Sequence, residues 1–134
     1  MIYLDSCALL KFIKPEKESE ALRAWRAALP EKTELLTSDL TRLEITRTLH
    51  RAAVDPQRVA HYVGQAVRGV HLIDLTTTVL ARAMAYQTRR LGTLDSIHLA
   101  TADPFRVPLT AFVTYDHELA AAAADFGLPV HAPA

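Results

Sequence analysis

Short apolar runs alternate with longer amphipathic segments along the whole chain, and this alternation limits the possible folds more than any other feature. It is the pattern of βα units, in which helices cover the faces of a parallel sheet. The sequence therefore predicts an α/β fold. The predicted strands are residues 2–4, 35–37, 71–75 and 111–114, with a weak fifth strand near 129–131.

Helical periodicity fills the intervals between these strands. Asp55 followed by Pro56 predicts a helix start, with an N-cap and a proline at the first helical position. Gly92 and Gly127 are predicted to close the helices that precede them, and prolines confine residues 103–108 to a loop. The predicted helices are residues 8–13, 19–29, 41–53, 56–70, 77–90, 95–102 and 118–126.

The size and composition favour one compact domain over residues 1–134. Half of the 134 residues are hydrophobic and 22% are charged, which is enough for a real core and argues against disorder. The one cysteine, Cys7, excludes an internal disulfide and a Cys-rich zinc site. The first residues lack a basic region, and Asp5 interrupts their apolar run, so we expect no signal peptide or membrane span there and a cytoplasmic protein.

The net charge gives no argument for a nucleic-acid partner, because fifteen basic residues balance fifteen acidic ones. Arginines are nevertheless frequent in the middle of the chain, where Arg47, Arg51, Arg89 and Arg90 are among them. Arginine suits bidentate contact with phosphate, although scattered surface arginines on helices are ordinary. Charge alone therefore does not locate a nucleic-acid surface.

Two of the predicted strands run into an aspartate, Asp5 after the first and Asp116 after the fourth. Ligands of open α/β sheets bind outside the carboxyl ends of the strands, so both acids occupy positions where function is common. Each aspartate also precedes a helix and could simply cap it. Either residue alone favours the capping interpretation.

Two further acids stand in apolar company on predicted helices. Asp95 opens a stretch so apolar that it must be largely buried, and its default role is interaction with the helix dipole. Glu44 lies between Leu43 and Ile45, where a solvated acid paired with Arg47 or Arg51 is the default. Spacing alone does not decide between these roles and a functional one.

If Asp5, Glu44, Asp95 and Asp116 converge, their mutual repulsion must raise a pKa or recruit a cation. Such an all-oxygen site would select Mg²⁺ or Mn²⁺ over zinc. These ions polarise phosphodiesters and lower the pKa of a water molecule, so the implied reaction is phosphodiester hydrolysis.

These residues resemble the motifs of the PIN-domain ribonucleases, most closely the VapC toxins of toxin-antitoxin modules. The opening Ile2-Tyr3-Leu4-Asp5-Ser6 is similar to the family's first strand, and the segments around Glu44, Asp95 and Asp116 are similar to its other three acidic motifs. The resemblance spans essentially the whole chain. Cys7 stands where the family often has serine, which puts one supporting hydrogen bond near the acids in doubt.

The resemblance implies a PIN-like three-layer α/β/α sandwich with a central, mostly parallel sheet. It implies a toxin that hydrolyses RNA with Mg²⁺ or Mn²⁺ and a metal-activated water. Asp5, Glu44, Asp95 and Asp116 would be the catalytic and metal-binding acids, and Ser6 and Thr114 would support them.

The resemblance also implies partners: an RNA substrate, a VapB-like antitoxin, a homodimer and a higher assembly with the antitoxin. The apolar positions Leu22, Trp25 and Leu29 recur with helical spacing and could line the groove that receives the antitoxin. Plain core packing is the commoner meaning of such a stripe.

Rival functions lack their motifs. A haloacid-dehalogenase-type phosphatase needs a second aspartate two residues after the first, and no aspartate stands two residues after Asp5. A response-regulator receiver needs a lysine late in the chain, and no lysine follows Lys32. The four glycines form no phosphate-binding loop. The histidines form no zinc motif, and His98, on an apolar helix, is expected to be a satisfied core residue. The remaining alternative is a catalytically inactive PIN-like module that binds RNA or protein.

Overall fold

The central sheet has five strands, all parallel, in the order β3-β2-β1-β4-β5. The computed structural model describes all residues from 1 to 134. The strands are β1 (Ile2–Leu4), β2 (Leu35–Ser38), β3 (His71–Ile73), β4 (Ala111–Val113) and β5 (Val130–His131). The order of the strands reverses at β1, because the chain first adds β2 and β3 on one side and then β4 and β5 on the other. Such a reversal leaves a crevice between β1 and β4.

Seven α-helices cover the sheet. They are α1 (Ser6–Leu10), α2 (Ser19–Ala27), α3 (Leu40–Arg51), α4 (Pro56–Ala66), α5 (Thr77–Ala85), α6 (Thr93–Ala102) and α7 (His117–Asp125), and a 3₁₀ turn (Asp103–Phe105) lies within the predicted loop. None of them is long and apolar enough to cross a lipid bilayer.

The helices lie on both faces of the sheet, so the predicted three-layer architecture is confirmed. Ile2 and Leu4 of β1 pack in one apolar cluster with residues of α1 to α4. Tyr3, between them, packs in a second cluster with residues of α6 and α7. Successive residues of a strand point to opposite faces, so the central strand is buried on both sides.

The last helix ends as its glycine predicts. Gly127 has a φ of +79°, the left-handed conformation that favours glycine. The Leu128 N–H donates to the Ala123 carbonyl, and the Gly127 N–H donates to the Ala124 carbonyl, both over 2.9 Å. These two bonds form a Schellman motif, which satisfies carbonyls at the end of α7.

The predicted role of Gly92 was wrong. The fifth helix does not continue to residue 90, because the backbone of Tyr86 turns to an extended conformation directly after Ala85. The Tyr86 ring then packs 4.9 Å from the ring of Phe126, on the second cluster. Gly92 is instead the N-cap of α6, with a φ of −67°. Tertiary packing, and not a local stop signal, ends α5.

The stripe of Leu22, Trp25 and Leu29 belongs to the core, the commoner of its two expected meanings. Leu22 is fully buried, and the other two are partly buried against the same cluster. The Trp25 ring also lies 5.4 Å from the ring of His131 at the end of β5. The fold itself therefore uses this stripe.

Candidate active site

The four acids named from the sequence come from four different elements. Asp5 directly follows β1 and is the N-cap of α1. Asp116, after β4, is the N-cap of α7. Asp95 is in the first turn of α6, and Glu44 lies within α3. We call Asp5, Glu44, Asp95 and Asp116 the acidic edge, because the two strand-end aspartates mark the crevice between β1 and β4.

Asp95 shows that the acidic edge is one electrostatic unit. Burial and the negative charges of Asp116, Asp5 and Glu44 together raise the pKa of its carboxyl to about 6, against a lowering by His98. No hydrogen bond compensates the Asp95 carboxylate. The structure thus brings the other three carboxylates within electrostatic range of Asp95, although their chemical roles stay predictions.

Asp5 is both a helix cap and a member of the acidic edge, so its two expected roles are compatible. It is 3% exposed, and Oδ1 accepts a 2.8 Å hydrogen bond from the Ala8 N–H. The Thr114 hydroxyl donates to Oδ2 over 2.5 Å. Burial raises the pKa of Asp5, while these hydrogen bonds oppose the rise.

Cys7 supplies the hydrogen bond that its presence had put in doubt. Its thiol lies 3.0 and 3.1 Å from the two carboxylate oxygens of Asp5 and donates to that carboxylate. Burial raises the pKa of the thiol, and the charge of Asp5 raises it further. Cys7 therefore stays protonated, which suits a donor and not a nucleophile.

The two predicted supporting hydroxyls differ in their contacts. Thr114 contacts two aspartates at once, because its oxygen also accepts a 3.1 Å hydrogen bond from the backbone N–H of Asp116. Asp116 in turn caps α7, since its Oδ1 accepts from the Leu119 N–H over 2.8 Å. Ser6 lines a neighbouring cleft and makes no hydrogen bond with the acids.

Glu44 does not pair with Arg47 or Arg51, so the default expectation for this acid was wrong. Its Oε1 lies 2.6 Å from Nε2 of His98. His98 is 1% exposed, and its Nδ1 lies 2.6 Å from the hydroxyl of Tyr3. His98 is the satisfied buried histidine that was expected, but sequence reasoning missed both of its partners.

Two open clefts of the surface contain arginines, and one of them includes an acid of the acidic edge. One, of about 280 Å³, includes Glu44, the exposed side chains of Leu43 and Leu94, and Arg47 and Arg51. The other, of about 360 Å³, includes Arg89, Arg90 and His117, which is next to Asp116 in the chain. None of these four arginines forms an ion pair, whereas Arg42, Arg82 and Arg106 do. In the first cleft, two arginines without an ion pair therefore lie beside the Glu44 carboxylate.

The donor chemistry of the acidic edge fits a hard divalent ion, because all four side chains offer carboxylate oxygens. An ion would also relieve the repulsion that raises the pKa of Asp95. In their present orientations, however, no three Asp, Glu, His or Cys side chains are gathered closely enough to hold a metal ion. Metal binding at this edge stays a prediction.

The family model described as "PIN domain" matches residues 2–125. Ribonuclease VapC35 of Mycobacterium tuberculosis is 40% identical over 137 aligned positions, which cover 99% of this chain and 97% of that protein. Ribonuclease VapC47 of the same organism is 36% identical, with 99% and 97% covered. The crystal structure of VapBC2 from Rickettsia felis, bound to a DNA fragment from its promoter, has the same fold, with a TM-score of 0.74, 11% identity and 98% of each chain covered.

Proposed function

The chain belongs to the PIN-domain family, and from this premise we propose that it is an endoribonuclease toxin that hydrolyses phosphodiester bonds of RNA with Mg²⁺ or Mn²⁺. One observation carries the proposal: four carboxylates from four elements share one electrostatic environment, in which burial and the neighbouring charges raise the pKa of Asp95 to about 6. The relatives named as ribonucleases at 36 and 40% identity support the same activity.

The side chains around Asp5 hold this carboxylate in one orientation. The Thr114 hydroxyl, the Cys7 thiol and the Ala8 N–H all donate to it. Asp116, Asp95 and Glu44 of α3 would provide the other oxygen ligands of the ion. A bound Mg²⁺ or Mn²⁺ supplies Lewis-acid chemistry there, since it lowers the pKa of a water molecule and stabilises charge on the attacking and leaving oxygens.

A water molecule is the best nucleophile at this edge. The raised pKa of the Cys7 thiol keeps it protonated, and its hydrogen bonds direct it at Asp5. Ser6 has no hydrogen bond to a basic side chain that could activate it. Attack by water on phosphorus leaves a 5′-phosphate and a 3′-hydroxyl, without a cyclic phosphate.

The arginines beside Glu44 would bind the RNA backbone. Arg47 and Arg51 line the same cleft as Glu44 and form no ion pair. A phosphate beside Glu44 would therefore have two guanidinium groups in the same cleft. A net charge of zero does not exclude such a local basic surface.

The test is cleavage of single-stranded RNA with Mg²⁺ or Mn²⁺ and in EDTA, compared with the variant Asp5→Asn/Asp116→Asn. We expect internal cuts only with the ion and the wild-type protein, with 5′-phosphate ends. Cyclic-phosphate ends or full activity in EDTA would refute the hydrolytic route. RNA binding without cleavage would favour the inactive binding module instead.

Thermal unfolding provides a second test of the metal site. An ion that binds only to the folded state raises the melting temperature by mass action. Millimolar Mg²⁺ or Mn²⁺ should therefore stabilise the wild-type protein but not the double variant. An equal shift in both proteins would place the ion elsewhere.

The proposal includes a VapB-like antitoxin as the partner and a homodimer as the free form. One structural neighbour is named as a toxin-antitoxin complex from Klebsiella pneumoniae, with a TM-score of 0.65 and 21% identity. Co-expression with the adjacent gene, followed by purification and light scattering, tests both. A monomer that purifies without the adjacent product would contradict this part of the proposal.

A further inference from the structure

A chain of buried hydrogen bonds connects the central strand of the sheet to one acid of the acidic edge. The hydroxyl of Tyr3, on β1, lies 2.6 Å from Nδ1 of His98, on α6. Nε2 of the same ring lies 2.6 Å from Oε1 of Glu44, on α3. Tyr3 is completely buried, and His98 is 1% exposed. The chain crosses three elements, so it is set by the tertiary fold.

The direction of the hydrogen bond to Glu44 follows from the groups involved. The Glu44 carboxylate only accepts, so Nε2 of His98 carries a proton and donates it. The backbone N–H of Ser38 donates to the Tyr3 oxygen over 3.2 Å, and the Tyr3 hydroxyl pairs with the second ring nitrogen, Nδ1. Both ring nitrogens of His98 are therefore occupied, and the ring has one orientation.

The hydrogen bond from His98 matters for Glu44, because two arginines on α3 compete for the same carboxylate. Arg47 and Arg51 follow it at three and seven positions along the same helix, and i, i+3 acid–arginine pairs form readily on helix surfaces. Both arginines are exposed and without an ion pair. The bond to His98 withdraws the carboxylate from them, and Oε2 is left without a hydrogen-bond partner.

We infer that His98, anchored by Tyr3, is a positioning residue that holds the Glu44 carboxylate at the acidic edge and away from Arg47 and Arg51. This inference rests on the proposed function, because it gives Glu44 a defined place among the ligands of the ion. It also explains why the histidine and the tyrosine are both buried in the interior.

Two substitutions of the same histidine separate its two hydrogen bonds. The amide of a glutamine reaches the position of Nε2, so His98→Gln retains a donor for Glu44. The shorter His98→Asn reaches only the position of Nδ1 and loses that donor. Tyr3→Phe removes the anchor but retains the ring. Thr101→Val is the matched control, because Thr101 is buried on the same helix and its hydroxyl bonds only the Ile97 carbonyl.

The first measurement is the dissociation constant of Mn²⁺ by titration calorimetry, with thermal unfolding in EDTA to verify that each variant is folded. We expect His98→Asn to weaken binding about tenfold or more, as for other residues that orient metal ligands. His98→Gln and Thr101→Val should remain within about threefold of the wild type. Equal affinity of His98→Asn and the wild type would overturn the inference, and if His98→Asn does not fold, a Tyr3→Phe variant with unchanged affinity would do the same.

The second measurement needs no metal and no activity. In EDTA, the Nε2 proton of His98 should give a slowly exchanging NMR signal in the wild type, and Glu44→Ala should abolish it. A rapidly exchanging proton in the wild type would overturn the inference. A wild-type protein that shows this signal but binds no Mn²⁺ would instead overturn the metal dependence proposed above, so the two failures are distinguishable.

Discussion

Lys11 and the acidic edge are both charged groups held against the core, but only Lys11 has its charge balanced. The Lys11 ammonium lies 2.6 Å from Glu16 and 2.9 Å from Glu18. Burial alone would lower its pKa, yet the hydrogen bonds to these two acids outweigh burial and raise it. The ammonium also lies 4.8 Å from the centre of the Tyr115 ring. Every charge in this cluster therefore has a partner within the chain.

At the acidic edge, by contrast, the carboxylate of Asp95 has no ion-pair partner. Burial and like charges raise the pKa of Asp95, and the arginines nearby form no ion pairs. A fold that gives every charge of one cluster an ion-pair partner has the means to do so elsewhere, so the unpaired charge at the acidic edge is a cost that needs a compensating ligand. The Lys11 cluster is therefore expected to stabilise the fold, and the acidic edge is expected to serve function.

The largest expected effect is on catalysis. Asp5→Asn removes one charge but retains the size of the side chain and an oxygen for the Ala8 N–H. We expect RNA cleavage to fall on the order of 100-fold while the protein stays folded. Lys11→Met should leave the rate within about twofold, because the Lys11 ammonium bonds Glu16 and Glu18 and none of the four acids. Quantitative cleavage assays on both variants provide the measurement, and a similar loss in both would end the distinction between the clusters.

The next largest effect is on stability, and here we expect the Lys11 cluster to matter more than the acidic edge. Lys11→Met leaves Glu16 and Glu18 without their common donor, and we expect it to lower the free energy of unfolding by about 2 kcal/mol. Lys14, exposed three residues later and in no ion pair, is the matched control. Lys14→Met should change the free energy of unfolding by less than about 0.5 kcal/mol. Urea denaturation measures both, and equal effects would mean that the Lys11 cluster is not structural.

A smaller effect is expected from the arginines beside Glu44. Arg47→Gln/Arg51→Gln should raise the KM for RNA about tenfold and reduce its dependence on salt, because two phosphate contacts are lost. Arg58→Gln is the control, since Arg58 is exposed on α4 and lines neither cleft. An unchanged KM and salt dependence in the double variant would place the RNA on another surface.

Much of the fold followed from local patterns. The bounds of β1 match the prediction, since a short apolar strand bounded by Asp5 leaves little choice. Gly127 ends α7 for a purely local reason, the left-handed backbone that a Schellman motif requires. The prediction that Gly92 closes α5 was wrong, because the end of α5 depends on the contact between Tyr86 and Phe126, residues far apart in sequence.

Only part of the candidate site could likewise be predicted from local patterns in the sequence. Asp5 and Asp116 could be placed together from the sequence, because the carboxyl ends of parallel strands meet at one edge. Glu44 and Asp95 could not, since helical spacing gives no distance to a strand, and only the resemblance to a family joined them. The partner of Glu44 was beyond reach as well. Local spacing favours Arg47, and the bond to His98 spans 54 positions of the chain.

The smallest effect, on the pH dependence of stability, is the most direct test of an unbalanced charge. The pKa of Asp95 is about 6 in the folded protein against 3.8 for an ordinary aspartate. The folded state therefore holds this proton more tightly, and the stability gained is fully present below about pH 4 and is lost as the pH rises through about 6. Asp95→Asn removes this loss.

In EDTA, Asp95→Asn should thus be more stable than the wild type by about 1 kcal/mol at pH 7.5, a value discounted because the carboxyl is only half buried. Below about pH 4 the difference should vanish, because the wild-type carboxyl is then protonated in both states. Asp125→Asn, at an exposed position on α7, should change stability by less than about 0.5 kcal/mol at both pH values. A variant less stable than the wild type at pH 7.5, or a difference that does not vary with pH, would mean that the fold already balances Asp95. The acidic edge would then be a structural cluster like that of Lys11, and the need for a bound cation would lose its electrostatic reason.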